Sequence, residues 1–233
     1  MNSASSSAPR RGFVRDNALS LAFGAMLILT LIGQSIFGEV GYNQAARTAG
    51  LQEISWLRYV TSSSFAVDIA ENWQSEYLLF TLFILLTIWL VQRGSSESKK
   101  PGEEGTDSDE KQLVDEHAQP DSPLWARVGG WRTAVYSHSL LIVMTTIFVL
   151  SWSAQAVAGR VANNEERMRD LLDPLSLPAY LASPDFWGRT LQNWQSELLA
   201  VGSMTVFAIY LRERGSPESK PVGAPHEETT SDD

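Results

Sequence analysis

Hydrophobic residues along this chain gather into four runs, separated by polar stretches of unequal length. The first, 18–37, is roughly 20 residues without a charge, enough for one helical crossing of a bilayer. The third, 134–158, is longer and has room to tilt. The second and fourth lie within 73–92 and 194–212. Their charge-free cores are shorter, about 15 and 14 residues, or about 22 and 21 Å of helix. A hydrocarbon core is about 30 Å thick, so these two spans must draw in neighbouring polar residues or thin the bilayer locally. Helix starts are marked by Ser62-Ser63-Ser64 and by Ser183-Pro184-Asp185, where a cap, a first-turn proline and an acid stand in order. Arg10, Arg11 and Arg15 precede the first run, as in a signal peptide. That run exceeds a signal core and lacks small residues at the cleavage spacing, so it is read as an uncleaved helix.

The runs are not independent of one another. Asn72-Trp73-Gln74-Ser75-Glu76 returns as Asn193-Trp194-Gln195-Ser196-Glu197, and both copies lead through an apolar run to Arg-Gly-Ser-x-Glu-Ser-Lys, at 93–99 and 214–220. An offset of 121 aligns 16–102 with 137–223 without a gap, and 26 of the 87 pairs are identical. Such internal repetition decides the architecture before any single element does. The expected fold is an all-α integral membrane protein with four transmembrane helices, arranged as two parallel helical-hairpin repeats. The divisions are 1–15, a disordered N-terminus; 16–102, repeat 1; 103–132, an acidic linker with an interfacial end; 133–223, repeat 2; and 224–233, an acidic tail. Trp125, Arg127, Trp131 and Arg132 suit the interfacial approach to the third span.

Charge changes the picture only once it is divided. The formal net charge is -9, but 94–124 carries nine acids against three lysines, and 215–233 five acids against one lysine. The remainder is nearly neutral, so the acidity belongs to segments expected to be too polar to fold. Basic residues near the span ends fall mostly on one side, at 10–15, 93–100, 127–132 and 212–220, which places both termini and the linker in the cytoplasm. Arg47, Arg58, Arg160, Arg167, Arg169 and Arg189 lie opposite, the later ones interleaved with acids. There is no cysteine, which excludes disulfides, thiolate metal sites and a cysteine nucleophile. Of the three histidines, His117 and His226 sit in acidic segments and His138 beside an apolar run. No phosphate loop, paired-histidine metal spacing or hydrolase elbow occurs, so no enzyme, metal or cofactor is expected. Acidic cytoplasmic segments disfavour nucleic acid as a partner.

One polar constellation remains. Counting about 1.5 Å per residue from the cytoplasmic ends puts Gln34 and Glu76 at similar height near the outer face, and Gln155 and Glu197 likewise. A carboxylate at hydrocarbon depth needs a proton or a partner, and a glutamine amide on the neighbouring helix would serve. Asp68, Asn72, Ser75 and Glu76 share a helix face, as do Arg189, Asn193, Ser196 and Glu197. Asp68 and Arg189 are equivalent positions of opposite charge and would pair if that face lines the pseudo-twofold axis. Trp73 and Trp194 read as interfacial anchors.

The segment 59–99, with Phe-Ala-Val-Asp-x-Ala-Glu-Asn-Trp-Gln-Ser-Glu-Tyr at its centre, resembles a family of small bacterial inner-membrane proteins of unknown function. Arg15-Asp16-Asn17 and the Arg-Gly-Ser-x-Glu-Ser-Lys endings carry the same likeness, over nearly all of the chain but its tails. The resemblance implies the bacterial cytoplasmic membrane and supplies no activity. The expected function is a structural or accessory membrane component whose partners are the bilayer and further copies of itself. The alternative is a small proton- or ion-coupled carrier or channel using Glu76 and Glu197.

Overall fold

The computed structural model describes residues 12–229, and every regular element among them is helical. Arg10 and Arg11 of the basic start lie outside the described residues. Two compact units divide at Phe65 and Ala66, within one long helix, and each is described by itself.

The first unit holds α1 (Phe13–Asp16), α2 (Ala18–Thr48), α3 (Trp56–Val60) and the first residues of α4 (Ser63–Trp89). Asn17 separates α1 from α2, its amide donating to the Phe13 carbonyl at 2.8 Å. Helix α2 continues beyond the apolar run to Thr48, so much of the polar stretch expected to be loop is helix. Gln44-Ala45-Ala46-Arg47 are strong helix formers, which carries the helix onward. It ends when Gly50 takes φ 70°. Leu51 N–H then reaches the Ala46 carbonyl at 2.8 Å, closing a Schellman motif. The Asn43 amide binds both backbone groups of Ile54, accepting at 2.8 Å and donating at 2.9 Å. Buried Tyr59 sets its hydroxyl over Gly38, where any Cβ would collide with it. Tyr42 and Phe65 flank the same ring at 5.8 and 5.4 Å.

The second unit holds the rest of α4, a 3-10 turn at Asp115–His117, α5 (Leu124–Arg127), α6 (Gly130–Ser137), α7 (Ser139–Arg169), α8 (Leu177–Leu181) and α9 (Pro184–Tyr210). The third apolar run does not start one continuous helix at residue 134. The backbone breaks at His138, the position equivalent to Asn17, and α7 then runs unbroken to Arg169. The fastenings of the first unit recur in the second at the offset of 121. Asn164 binds Leu175 at 2.7 and 3.0 Å. Tyr180 sets its hydroxyl over Gly159, and Phe186 flanks the ring at 5.6 Å. Leu172 N–H reaches the Arg167 carbonyl at 2.8 Å. One substitution is strained: Leu171, where the first copy has Gly50, takes φ 58°. Helix α9 begins as its sequence predicts, with Ser183 Oγ accepting from Phe186 N–H at 3.3 Å and Pro184 in the first turn.

Two helices, α2 and α7, are long and apolar enough to cross a membrane by length and composition. Helices α4 and α9 carry charges through their N-terminal halves and are apolar beyond Glu76 and Glu197. After each of them the chain makes the same loop. Gln92 N–H donates to Ser98 Oγ at 2.7 Å, and Glu213 N–H to Ser219 Oγ at 2.9 Å. Lys99 donates to the Gly105 carbonyl at 2.8 Å, and Lys220 to the His226 carbonyl at 2.9 Å. The returning strand of loop closes the helix end: Gly105 N–H reaches the Ile88 carbonyl at 2.7 Å, and His226 Nδ1 lies 3.1 Å from the Ile209 carbonyl. The expectation that the acidic segments stay unfolded is therefore corrected for 94–107 and 215–228. A lysine with three donors collects backbone carbonyls there, and Asp107 turns onto Lys99 at 3.3 Å.

Candidate functional site

The site is built where α4, α7 and α9 meet in the second unit. On α4, Val67, Ala70, Gln74 and Ser75 are buried, a spacing of three and four that defines its inward face. Asn72, Trp73 and Glu76 therefore point outward and are exposed. The expected polar face through Asp68, Asn72, Ser75 and Glu76 is thus rotated: Ser75 lies inside, while Asn72 only bonds its own helix, at the Asp68 carbonyl, 2.7 Å away. On α9, Phe186 and Thr190 are buried, and Asn193, Trp194 and Glu197 are half-buried. Asn193 repeats the back-bond of Asn72, to the Arg189 carbonyl at 3.0 Å.

The two motif copies touch. Trp194 Nε1–H donates to Gln74 Oε1 at 2.7 Å, and Gln74 is fully buried. That one bond satisfies both the indole donor and the buried amide oxygen. Trp194 also joins an aromatic cluster, its ring tilted 5.9 Å from Trp152, which in turn lies 5.6 Å from Phe148 and 6.2 Å from both Phe186 and Trp187. The Glu76 and Glu197 carboxylates are close enough for their charges to act on one another.

Arg189 does not pair with Asp68. Its Nη1 lies 3.4 Å from both Glu71 oxygens, and its Nε 3.4 Å from Asp185 Oδ1, one turn back on α9. Asp185 Oδ2 accepts from the Tyr180 hydroxyl at 3.1 Å, so a chain runs Tyr180, Asp185, Arg189, Glu71. Asp68 and Glu71 stand one turn apart on α4, and the register of α4 against α9 brings Glu71 opposite the guanidinium. Burial raises the Asp68 carboxyl above its ordinary range, and the Arg189 charge opposes it. Glu71 is raised by burial too, with Arg189 opposing and Asp68 adding to the rise. Burial and the adjoining Asp185 carboxylate hold the Tyr180 hydroxyl firmly protonated. Distances of 3.4 Å and a partly exposed guanidinium make this a loose network, each pair worth at most about 1 kcal/mol.

The glutamines depart from expectation as well. Gln155 is fully buried, but its amide donates to Thr190 Oγ1 at 3.2 Å and not to Glu197. Its Oε1 has no partner among the described residues, nor has the Trp152 indole one turn earlier. Gln34 lies half-buried in α2 of the first unit. The residue equivalent to Thr190 is Ile69, which has no hydroxyl, so the first copy lacks that bond by composition. Sequence reasoning missed Glu71, Gln74 and Thr190. Only Gln74 carried a signal, as part of the repeated motif.

Among the described residues no group of three or more histidine, aspartate or glutamate side chains is placed to hold a metal ion. The profile of a family described as a domain of unknown function, DUF6766, matches residues 10–231. Comparison with the curated proteins and with the solved structures found no match.

Proposed function

The chain belongs to the DUF6766 family of unknown function, and from that premise we propose that it is a structural or accessory protein of the bacterial inner membrane. In this reading it crosses the bilayer four times as two parallel hairpins, with both termini and the acidic linker in the cytoplasm. The observation that carries the proposal is the bond from Trp194 to Gln74, in which one motif copy is used to hold the other. A residue kept for packing between two halves of one chain needs no substrate. The repeated fastenings, Asn43 with Asn164, Tyr59 over Gly38 with Tyr180 over Gly159, and Lys99 with Lys220, support the two-hairpin arrangement. The apolar faces of α2 and α7 would contact lipid, and the short spans within 73–92 and 194–212 would sit in a locally thinned bilayer.

A carrier acting through Glu76 and Glu197 is less well supported. That reading offered Gln155 as the partner of Glu197, and Gln155 is instead engaged by Thr190. The test of the proposal uses the natural absence of cysteine. Single cysteines at Asp16, Ser96, Gln119 and Ser216 should react with an impermeant maleimide only in inverted vesicles. Those at Gly50 and Asp173 should react in intact spheroplasts. Labelling of all six from one side would overturn the four-span arrangement.

A further inference from the structure

Helices α4 and α9 do not close on one another completely. Between them, C-terminal to the Gln74–Trp194 bond along both helices, lies a cavity of about 140 Å³, lined by Leu79, Phe80 and Phe83 from α4, by Val201, Met204 and Thr205 from α9, and by Glu97. Its origin is legible in the alignment. Val201 and Met204 are the counterparts of Phe80 and Phe83, so the second copy places smaller or more pliable side chains where the first has rings. The Thr205 hydroxyl is spent on the Val201 carbonyl at 2.9 Å and offers the cavity nothing polar. The wall is therefore apolar throughout, and the one polar group is the carboxyl.

No basic side chain among the described residues forms an ion pair with that carboxyl. Glu97 faces Glu218, its own equivalent, within hydrogen-bond reach. Ser96 Oγ fixes the approach by donating to the Glu218 carbonyl at 3.1 Å. Among the described residues neither carboxyl has a lysine or arginine partner: Lys99 is committed to Gly105 and Asp107, and Lys220 to the carbonyls of Pro225, His226 and Glu228. Burial, then the charge of Glu218, raises the Glu97 carboxyl, as follows when two acids face each other without a cation. An apolar slot with one acid in its wall, a second acid beside the first and no basic side chain paired with either complements one kind of ligand.

We infer that the space between α4 and α9 is a binding site for an alkylammonium ion, its head between Glu97 and Glu218 and its chain between Phe80, Phe83 and Met204. At roughly 30 Å³ for each group the size of a water molecule or methylene, the cavity accepts about five carbons. Nothing in the inference needs the membrane topology proposed above; it stands on the α4–α9 pairing alone.

The test is saturation-transfer NMR on the full chain in lipid nanodiscs, with n-pentylammonium as probe and 1-pentanol and pentanoate as controls. The ammonium should bind at least tenfold more tightly than the alcohol, and pentanoate should not bind. The pair Glu97→Gln with Glu218→Gln, both on partly exposed side chains, should erase that tenfold preference while the alcohol binds as before. Val201→Phe, which restores the residue of the first copy, should weaken ammonium and alcohol alike. Equal binding of ammonium and alcohol to the unaltered protein, or a preference that survives the double Gln variant, overturns the inference. Maleimide labelling reads the topology separately, so failure of one leaves the other standing.

Discussion

The two copies of Asn-Trp-Gln-Ser-Glu are identical in letters and opposite in use. On α4 the glutamine and serine are buried and Trp73 is exposed; on α9 the tryptophan is half-buried and Gln195 and Ser196 are exposed. Each residue advances a helix by about 100°, so a rotation of roughly one residue about each axis exchanges the two faces. What sets the rotation lies outside the motif. The second copy has Phe148, Trp152 and Trp187 where the first has Leu27, Leu31 and Ala66. Trp152 draws Trp194 inward, and the indole donor then needs an acceptor, which Gln74 supplies at 2.7 Å. A bond between unlike letters of a repeat replaces the pair of matching bonds that a strict twofold would give. Repetition in sequence here specifies the helix and leaves its facing to the neighbours.

This asymmetry can be broken directly. Trp194→Ala removes a half-buried ring and leaves the Gln74 oxygen buried without a donor, so thermal unfolding in detergent should show a loss of about 2–3 kcal/mol. Trp73→Ala on the exposed face should cost within about 0.5 kcal/mol. Comparable losses for the two would mean that the motif copies are equivalent after all. The glycines beneath the tyrosines come next. Gly159→Ala meets both the Tyr180 hydroxyl and Val67, whereas Gly38→Ala meets Tyr59 alone. The expected losses are about 2 and about 1 kcal/mol, and adding Tyr180→Phe should recover part of the first.

Arg189 separates the copies by charge, since its counterpart is Asp68. Arg189→Gln leaves Asp68, Glu71 and Asp185 without a cation and should cost about 1 kcal/mol at neutral pH. Asp68 and Glu71 have folded values raised above their unfolded ones. Their contribution to stability is therefore complete below the ordinary carboxylate range, near pH ~4, and is lost as pH rises through the raised values. The variant should accordingly approach the parent in acid and fall behind it toward neutrality; a gap that widens in acid contradicts the network. The smallest effect belongs to the loop at Leu171. Leu171→Gly relieves the left-handed backbone and should stabilise by about 0.5–1 kcal/mol, while Gly50→Leu should cost about as much, each read as a shift in melting temperature.

Local signals carried far into this structure. Ser183-Pro184-Asp185 starts α9, Gly50 ends α2, and the offset of 121 predicts that whatever Asn43, Tyr59 and Lys99 do will be done again by Asn164, Tyr180 and Lys220. Apolar length put α2 and α7 among the four expected spans, and these two alone among the described helices are long and apolar enough to cross a membrane, though that length did not show that each helix continues unbroken to Thr48 and Arg169. The candidate site was harder to read. Helical spacing placed Asp68 on a face with Asn72 and Glu76, but a helix wheel has no zero, and the inward direction proved to run through Val67, Glu71 and Gln74.

Residues a few positions apart settle where helices start and stop and which are apolar, and the offset of 121 shows that two stretches of the sequence share one pattern. Caps, turns and helix periodicity act over a single turn of chain, so they survive without knowledge of any partner. Only the tertiary structure decided that Glu71 and not Asp68 meets Arg189, that Gln155 is taken by Thr190, and that Glu97 comes to face Glu218. Gln155 and Thr190 stand 35 residues apart along the chain, and the other two pairs more than a hundred. The rotation of each helix about its own axis settles them, and that rotation is set by the fit of rings such as Trp152 and Trp194, a property of the assembled interior.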